Sequence, residues 1–169
     1  EALKVYNQDF MDRAFFPINI GIGIHSGSVV IGAVGSEDRM DSTVLGDAVN
    51  LASCLEGLTK FYGSQIITSH QTLSLLNDIS IFKHRELDRV RVKGKSDTVT
   101  IFEIFDADPP EICELKEKTS SYLQEALSYR TKRQWEKAVQ ALSTALDIYP
   151  GDMAAGRLMG YIDDLKNTD

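Results

Sequence analysis

From Ile18 to His25 the chain reads Ile-Asn-Ile-Gly-Ile-Gly-Ile-His, an unbroken alternation of β-branched residues with small or polar ones. Side chains on a strand point in turn to its two faces, so a period of two predicts a half-buried β-strand. Ser26-Gly27 supplies a turn, and Ser28-Val-Val-Ile-Gly-Ala-Val-Gly35 reads as the hairpin partner of that strand. A loop follows from Ser36 to Ser42. The period then changes. From about Asp47 to Phe61, Ala48, Leu51, Ala52, Leu55 and Leu58 fall at helical spacing, with Asp47 placed to cap the helix.

Upstream, Leu3, Tyr6 and Phe10 share one face of a helix that runs to about Arg13. No capping residue precedes it, so the chain reads as starting in mid-helix, a fragment of a longer parent. Downstream, Gln65–Thr68 is a short strand and Gln71–Leu76 a short helix, and strands are predicted near Phe82–Val92 and Thr98–Phe105. Strands and helices mixed in this order imply an α/β domain of the α+β kind with a largely antiparallel sheet. Asp106-Ala-Asp-Pro-Pro-Glu cannot continue a sheet, so the domain boundary is placed there. The division expected is a first domain over 1–105, a linker over 106–114 and a helical segment over 115–169.

In that segment Ser121-x-x-Gln124 reads as a capping box opening a helix to about Thr131. A second helix covers about Gln134–Tyr149, stops at Pro150-Gly151, and leaves Asp152 to cap a third. Ala126, Tyr129, Ala138, Leu142, Ala145 and Pro150 sit at the spacings of a tetratricopeptide repeat. One repeat is fewer than the roughly three that make a stable array. The segment therefore reads as a capping pair packed on the first domain or on a partner subunit, and a groove for a protein partner is the alternative.

Composition narrows the function. A net charge of −7 argues against a nucleic-acid binder, which wants a basic face. Cys54 and Cys113 lack the spacing of a metal site and read as reduced thiols of a cytoplasmic protein. No run of about 18 apolar residues offers a membrane span, although the parent could be anchored through upstream segments. Gly21, Gly23 and Gly27 resemble a phosphate cradle but precede a strand turn rather than a helix, which is the wrong context. His25, at the strand end, reads as structural.

The run from Gly21 to Gly27, the run Gly35-Ser-Glu-Asp-Arg-Met-Asp-Ser-Thr-Val-Leu-Gly-Asp-Ala-Val-Asn-Leu-Ala-Ser53 and the later Val92-Lys-Gly-Lys95 resemble the class III adenylyl and guanylyl cyclases. The resemblance covers about residues 1–105 and corresponds to the C-terminal half of such a catalytic domain, whose fold is ferredoxin-like. It implies an active site shared between two cyclase domains, hence a homodimer or a second cyclase domain as partner and ATP as substrate. Thr43 falls on the base-selecting position, Asn50 on the residue that orients the ribose, and Lys93 on the triphosphate lysine. Two Mg2+ or Mn2+ ions are implied as cofactors, their aspartate ligands falling upstream of Glu1. The chain alone is therefore expected to hold no metal and not to turn over.

Those residue types suit the chemistry. Attack of the ribose 3′ oxygen on the α-phosphorus, with pyrophosphate leaving, is catalysed mostly by positioning and by charge stabilisation on phosphate oxygens. A lysine is a point charge for the triphosphate, and a threonine hydroxyl both donates and accepts at a base edge. One position departs from the pattern: where the family places Arg four residues after the Asn, this chain has Cys54. A thiol cannot fork two hydrogen bonds to a phosphate. Two competing readings follow, a catalytically degenerate cyclase-like domain that dimerises to pass a signal, and an interaction module acting through the helical tail.

Overall fold

The computed structural model describes residues 2–11, 16–36, 39–91 and 98–166. In chain order the elements are α1 (Ala2–Met11), β1 (Ile22–Ile24), β2 (Val30–Ser36), β3 (Arg39–Leu45), α2 (Asp47–Tyr62), β4 (Ile66–Ser69), α3 (His70–Leu73), β5 (His84–Arg91), β6 (Thr98–Ile104), α4 (Pro110–Thr131), α5 (Trp135–Ile148) and α6 (Met153–Lys166). One sheet has the strand order β1-β4-β6-β5, and β2 and β3 form a separate two-stranded sheet. Within the larger sheet β4–β6 and β5–β6 are antiparallel, while β1 lies parallel to β4. This is the mixed α/β architecture expected, with a helical segment following it.

The pairing of β1 corrects the sequence reading. Its partner is β4, with Ile22 opposite Ile66 and Ile24 opposite Thr68. β2 pairs instead with β3, from Val30 opposite Leu45 to Ser36 opposite Arg39. The stretch expected to be a loop is thus largely strand. β3 reads Arg-Met-Asp-Ser-Thr-Val-Leu, and its last two residues, Val44 and Leu45, are exposed. A parallel β1–β4 pair needs a crossover, and the β2–β3 hairpin with α2 supplies it.

The covered face of β1 is the glycine face. Ile22 and Ile24 are exposed, while Gly21 and Gly23 face α2. A Cβ on Gly23 would stand 2.2 Å from the Ala52 carbonyl oxygen and 2.3 Å from the Glu56 nitrogen. The glycines let a helix backbone lie directly on a strand. Gly23→Ala is expected to push α2 off the sheet and cost about 2–3 kcal/mol, as overpacking against unyielding backbone does. Gly57→Ala, on the open side of α2 with nothing within 4 Å, should instead be neutral or stabilising. Urea unfolding of the two variants checks that opposite ordering.

α2 begins at Gly46, whose φ of 149° is strained for any residue with a side chain, and a Cβ there would also meet the Ser28 carbonyl oxygen at 3.1 Å. Asp47 is therefore the first helical residue rather than the cap, and an acid there favours the positive end of the helix. Leu51, Leu55 and Tyr62 of α2 pack with Ile67, Leu87 and Ile101 of the sheet to make the core of this half. α1 is tied in by Asn7, whose side-chain amide donates to the Ile18 carbonyl while its oxygen accepts from the Ile18 N–H, both at 2.8 Å.

The helical segment starts earlier than the sequence suggested. Pro110, pre-set for a first helical turn, opens α4, so residues 110–114 are helix rather than linker and Ser121 lies inside the helix rather than at its start. α4, α5 and α6 share a core of Leu123, Leu127, Leu142, Leu158 and Ile162 with small residues between them. Asp152 caps α6, its Oδ1 accepting from the N–H groups of Ala154 and Ala155 at 3.1 and 3.3 Å.

This segment is built into the sheet domain. Ala154 of α6 belongs to the same core as Leu55 and Ile67. Beside it lies a buried charge cluster. Arg85 of β5 donates to both oxygens of Asp152, at 2.6 and 2.9 Å, and its Nε bonds Glu103 of β6. Lys116 of α4 donates to Glu103 and pairs with Asp108, each at 2.7 Å, and Ser64 donates to Glu103 at 2.8 Å. Burial works against the Lys116 charge, yet Glu103 and Asp108 together lift its pKa above the ordinary lysine value. Three carboxylates thus face two cations and one helix N-terminus, which offsets the extra negative charge.

Candidate functional site

β3 and α2 are joined only by Gly46, so Thr43, three residues before that hinge, and Asn50, four after it, lie about the same end of α2. Thr43 sits in the hairpin opposite Gly32 and is half-buried. Asn50 is exposed in the first turns of α2, its own N–H held by the Gly46 carbonyl at 3.4 Å. An exposed amide in the first turns of a helix can offer donors and an acceptor to a polar ligand.

Cys54 lies one turn beyond Asn50, since residues four apart on a helix are neighbours. It is half-buried and, with Leu58, Val90 and Val99, forms the rim of the core that holds Leu51 and Leu55. Val90 and Val99 face each other across β5 and β6. Those strands end at Arg91 and begin again at Thr98, and Lys93 lies outside the described residues. The structure therefore brings Thr43, Asn50 and Cys54 to one helix and its lead-in strand, and leaves the lysine's place open.

His25 shares a hydrogen bond of 2.7 Å with the Ser69 hydroxyl, and the Ser26 N–H donates to Thr72 at 2.9 Å. These bonds moor the end of β1 to the start of α3, a structural task. Among the described residues, no three His, Cys, Asp or Glu side chains converge to hold a metal ion. No described helix is long and apolar enough to cross a membrane.

Two apolar surfaces flank this region. Ile18, Ile20, Ile22 and Ile24 are between 41% and 53% exposed, all on one side of the β1 segment. On the hairpin, Val30 and Ile31 are 68% and 75% exposed. Solvated apolar faces of this kind mark surfaces that another chain or segment covers.

The residues missed from sequence are those of the buried charge cluster. The signal was present in the strand alternation: Glu103 falls in step with Ile101 on the inward side of β6, as Arg85 does with Leu87 on β5. A charge at an inward position needs an opposite charge, and both find theirs on the following helices.

Comparison with known proteins matches residues 2–104 to the Adenylate and Guanylate cyclase catalytic domain family. A terminal-differentiation-specific adenylate cyclase of Dictyostelium discoideum is 37% identical over 148 residues, 85% of this chain and 7% of that protein. That match reaches well past residue 104 into the helices. An adenylate cyclase of Anabaena cylindrica is 49% identical over 88 residues, 52% of this chain and 18% of its own length. The crystal structure of the adenylyl cyclase CyaB from P. aeruginosa superposes with a TM-score of 0.53 at 33% identity, covering 62% of this chain and 52% of that one. The chain thus spans only a small part of the curated relatives it matches. The family model's span over β1, α2 and the whole four-stranded sheet establishes that this chain belongs to the adenylate and guanylate cyclase catalytic domain family.

Proposed function

We propose that this chain supplies the nucleotide-recognising half of a nucleotidyl cyclase site, which a second cyclase domain completes, and that the reaction is ATP to cyclic AMP and pyrophosphate. The observation that supports this reading is the match of residues 2–104 to the cyclase catalytic domain family, a span that contains Thr43 on β3 and Asn50 and Cys54 on α2. The 3′ oxygen bonds to the α-phosphorus, the bond from that phosphorus to the β-phosphate oxygen breaks, and the 3′ proton is released. Asn50 fixes the ribose so that the 3′ oxygen lies in line, Thr43 reads the base edge, and Lys93 holds the triphosphate. Positioning of this kind supplies much of the barrier reduction in a displacement at phosphorus.

The exposed isoleucines of the β1 segment and the hairpin valine and isoleucine support a partner domain on this side, in a homodimer or with a second cyclase domain. Two Mg2+ or Mn2+ ions would be held by aspartates of the portion preceding Glu1 and would stabilise charge on the phosphate oxygens, and the protein works in the cytoplasm. The experiment is cyclic AMP formation by the full-length protein. Asn50→Ala is expected to lower kcat about 10²-fold with little change in KM, since it acts on alignment. Lys93→Ala is expected to raise KM for ATP as well. If both variants turn over like the wild type, the assignment is wrong.

A further inference from the structure

A groove of 570 Å3 lies between the sheet domain and the helical segment, and Thr43, Asn50 and Cys54 are not among its lining residues. Its lining is unlike the rest of the chain. Arg89 and Arg91 of β5, Arg130 in the last turn of α4, Arg133 just after it and Arg157 of α6 all line it, against one lining carboxylate, Asp88. The chain as a whole carries −7. So a cationic patch has been gathered locally against the global charge.

Asp88 is already committed, accepting from the Tyr62 hydroxyl at 3.1 Å and pairing with Arg130. Arg130 is thus already paired and Arg133 is engaged as well, so the groups that matter for a ligand are Arg89, Arg91 and Arg157. Arg89 holds Glu86 only loosely, at 3.7 Å, and Arg91 has no ion-pair partner among the described residues. Guanidinium forks match phosphate oxygens in pairs. The apolar side of the groove is aromatic. Arg157 lies over the Phe61 ring at 4.7 Å and Arg130 over the Tyr161 ring at 5.7 Å, with Trp135 alongside. Rings of this kind take up a flat ring by offset stacking. The volume falls in the range of small-molecule sites.

We propose that this groove binds a phosphorylated small molecule carrying a flat ring, with Arg91 and Arg157 on the phosphate and the aromatic side chains on the ring. Such a ligand would bridge β5, α4 and α6, and so would brace the helical segment against the sheet.

Trp135 is the only tryptophan in the chain and lines the groove, so its fluorescence reports occupancy. The full-length protein, its other tryptophans replaced, is titrated with AMP, phenyl phosphate and inorganic phosphate. AMP and phenyl phosphate are expected to quench Trp135 saturably and to weaken with salt, inorganic phosphate to compete, and adenosine to bind at least 10-fold more weakly than AMP. The pair Arg91→Glu/Arg157→Glu should weaken AMP at least 10-fold. The milder Arg91→Gln, with an unchanged thermal midpoint, should weaken it several-fold, and Phe61→Ala should remove the preference for AMP over inorganic phosphate. Asn50→Ala should leave the titration unchanged whether or not the cyclase reading holds. The proposal is overturned if AMP does not quench, if the arginine variants bind like wild type, if Asn50→Ala abolishes the signal, or if an acidic peptide displaces AMP more effectively than phosphate does.

Discussion

Arg85→Met unfolds this protein at markedly lower urea, with a loss of about 3–5 kcal/mol. Arg85 is buried at 3% exposure and binds Glu103 and Asp152 at once, so its removal leaves Asp152 buried without a cation and Glu103 with Lys116 alone. Breaking a buried ion pair from one side costs that much because the remaining charge keeps its desolvation penalty. Arg85→Lys should rescue little, since an ammonium cannot fork to both Asp152 oxygens as the guanidinium does. Asp152→Ala should cost less than Arg85→Met, because Arg85 keeps Glu103, but it also removes the cap of α6. A shift below about 1 kcal/mol for Arg85→Met would mean that the helices are not docked on the sheet as described.

The same cluster bears on how the helical segment can be studied. Deleting residues 115–169 removes Lys116 and Asp152, takes Ala154 out of the sheet core, and leaves Arg85 and Glu103 facing solvent. Lost activity in such a truncation would report lost folding. A role of these helices in partner binding is better sought with surface substitutions on the outer face of α5.

Cys54→Arg is expected to raise cyclic AMP formation by the full-length protein about 10²–10³-fold. That factor corresponds to about 3–4 kcal/mol, the usual worth of one preorganised group that stabilises developing charge. Position 54 can accept the longer side chain because it lies on the core rim with Leu58, half-buried, so an arginine stem can run along apolar surface while its head reaches the Asn50 side. Stability should change little. A Cys54→Arg protein that folds normally yet gains less than 10-fold would favour the signalling, non-catalytic reading of the domain.

The helix over 47–62 was legible because its helical period is long, and the strand over 98–104 because it alternates, whereas the strand over 84–91 carries an irregularity between Glu86 and Asp88 that its sequence does not announce. The partner of β1 was not. Adjacent strands with a Ser-Gly between them look like a hairpin, and only the α2 crossover, a tertiary event, brings Ile66 beside Ile22. The covered face of β1 was not legible for a related reason: alternation reveals two faces but not which one is covered. Here the glycine face is covered, because contact between helix and strand backbones outweighs side-chain burial there. At the site, motif spacing put Asn50 and Cys54 one turn apart on α2 and Thr43 just before it, whereas the arginine groove was invisible because β5, α4 and α6 are far apart in sequence.

The central claim is that residues around α2 recognise the nucleotide in a cyclising reaction, and product analysis tests it most directly. Full-length protein carrying Cys54→Arg is incubated with ATP and Mn2+, the products are separated by chromatography, and the same is done with Asn50→Ala added. The account predicts cyclic AMP and pyrophosphate in equal amounts, reduced about 10²-fold by the second substitution. No cyclic AMP, or ADP and phosphate instead, or a yield indifferent to Asn50, would contradict it.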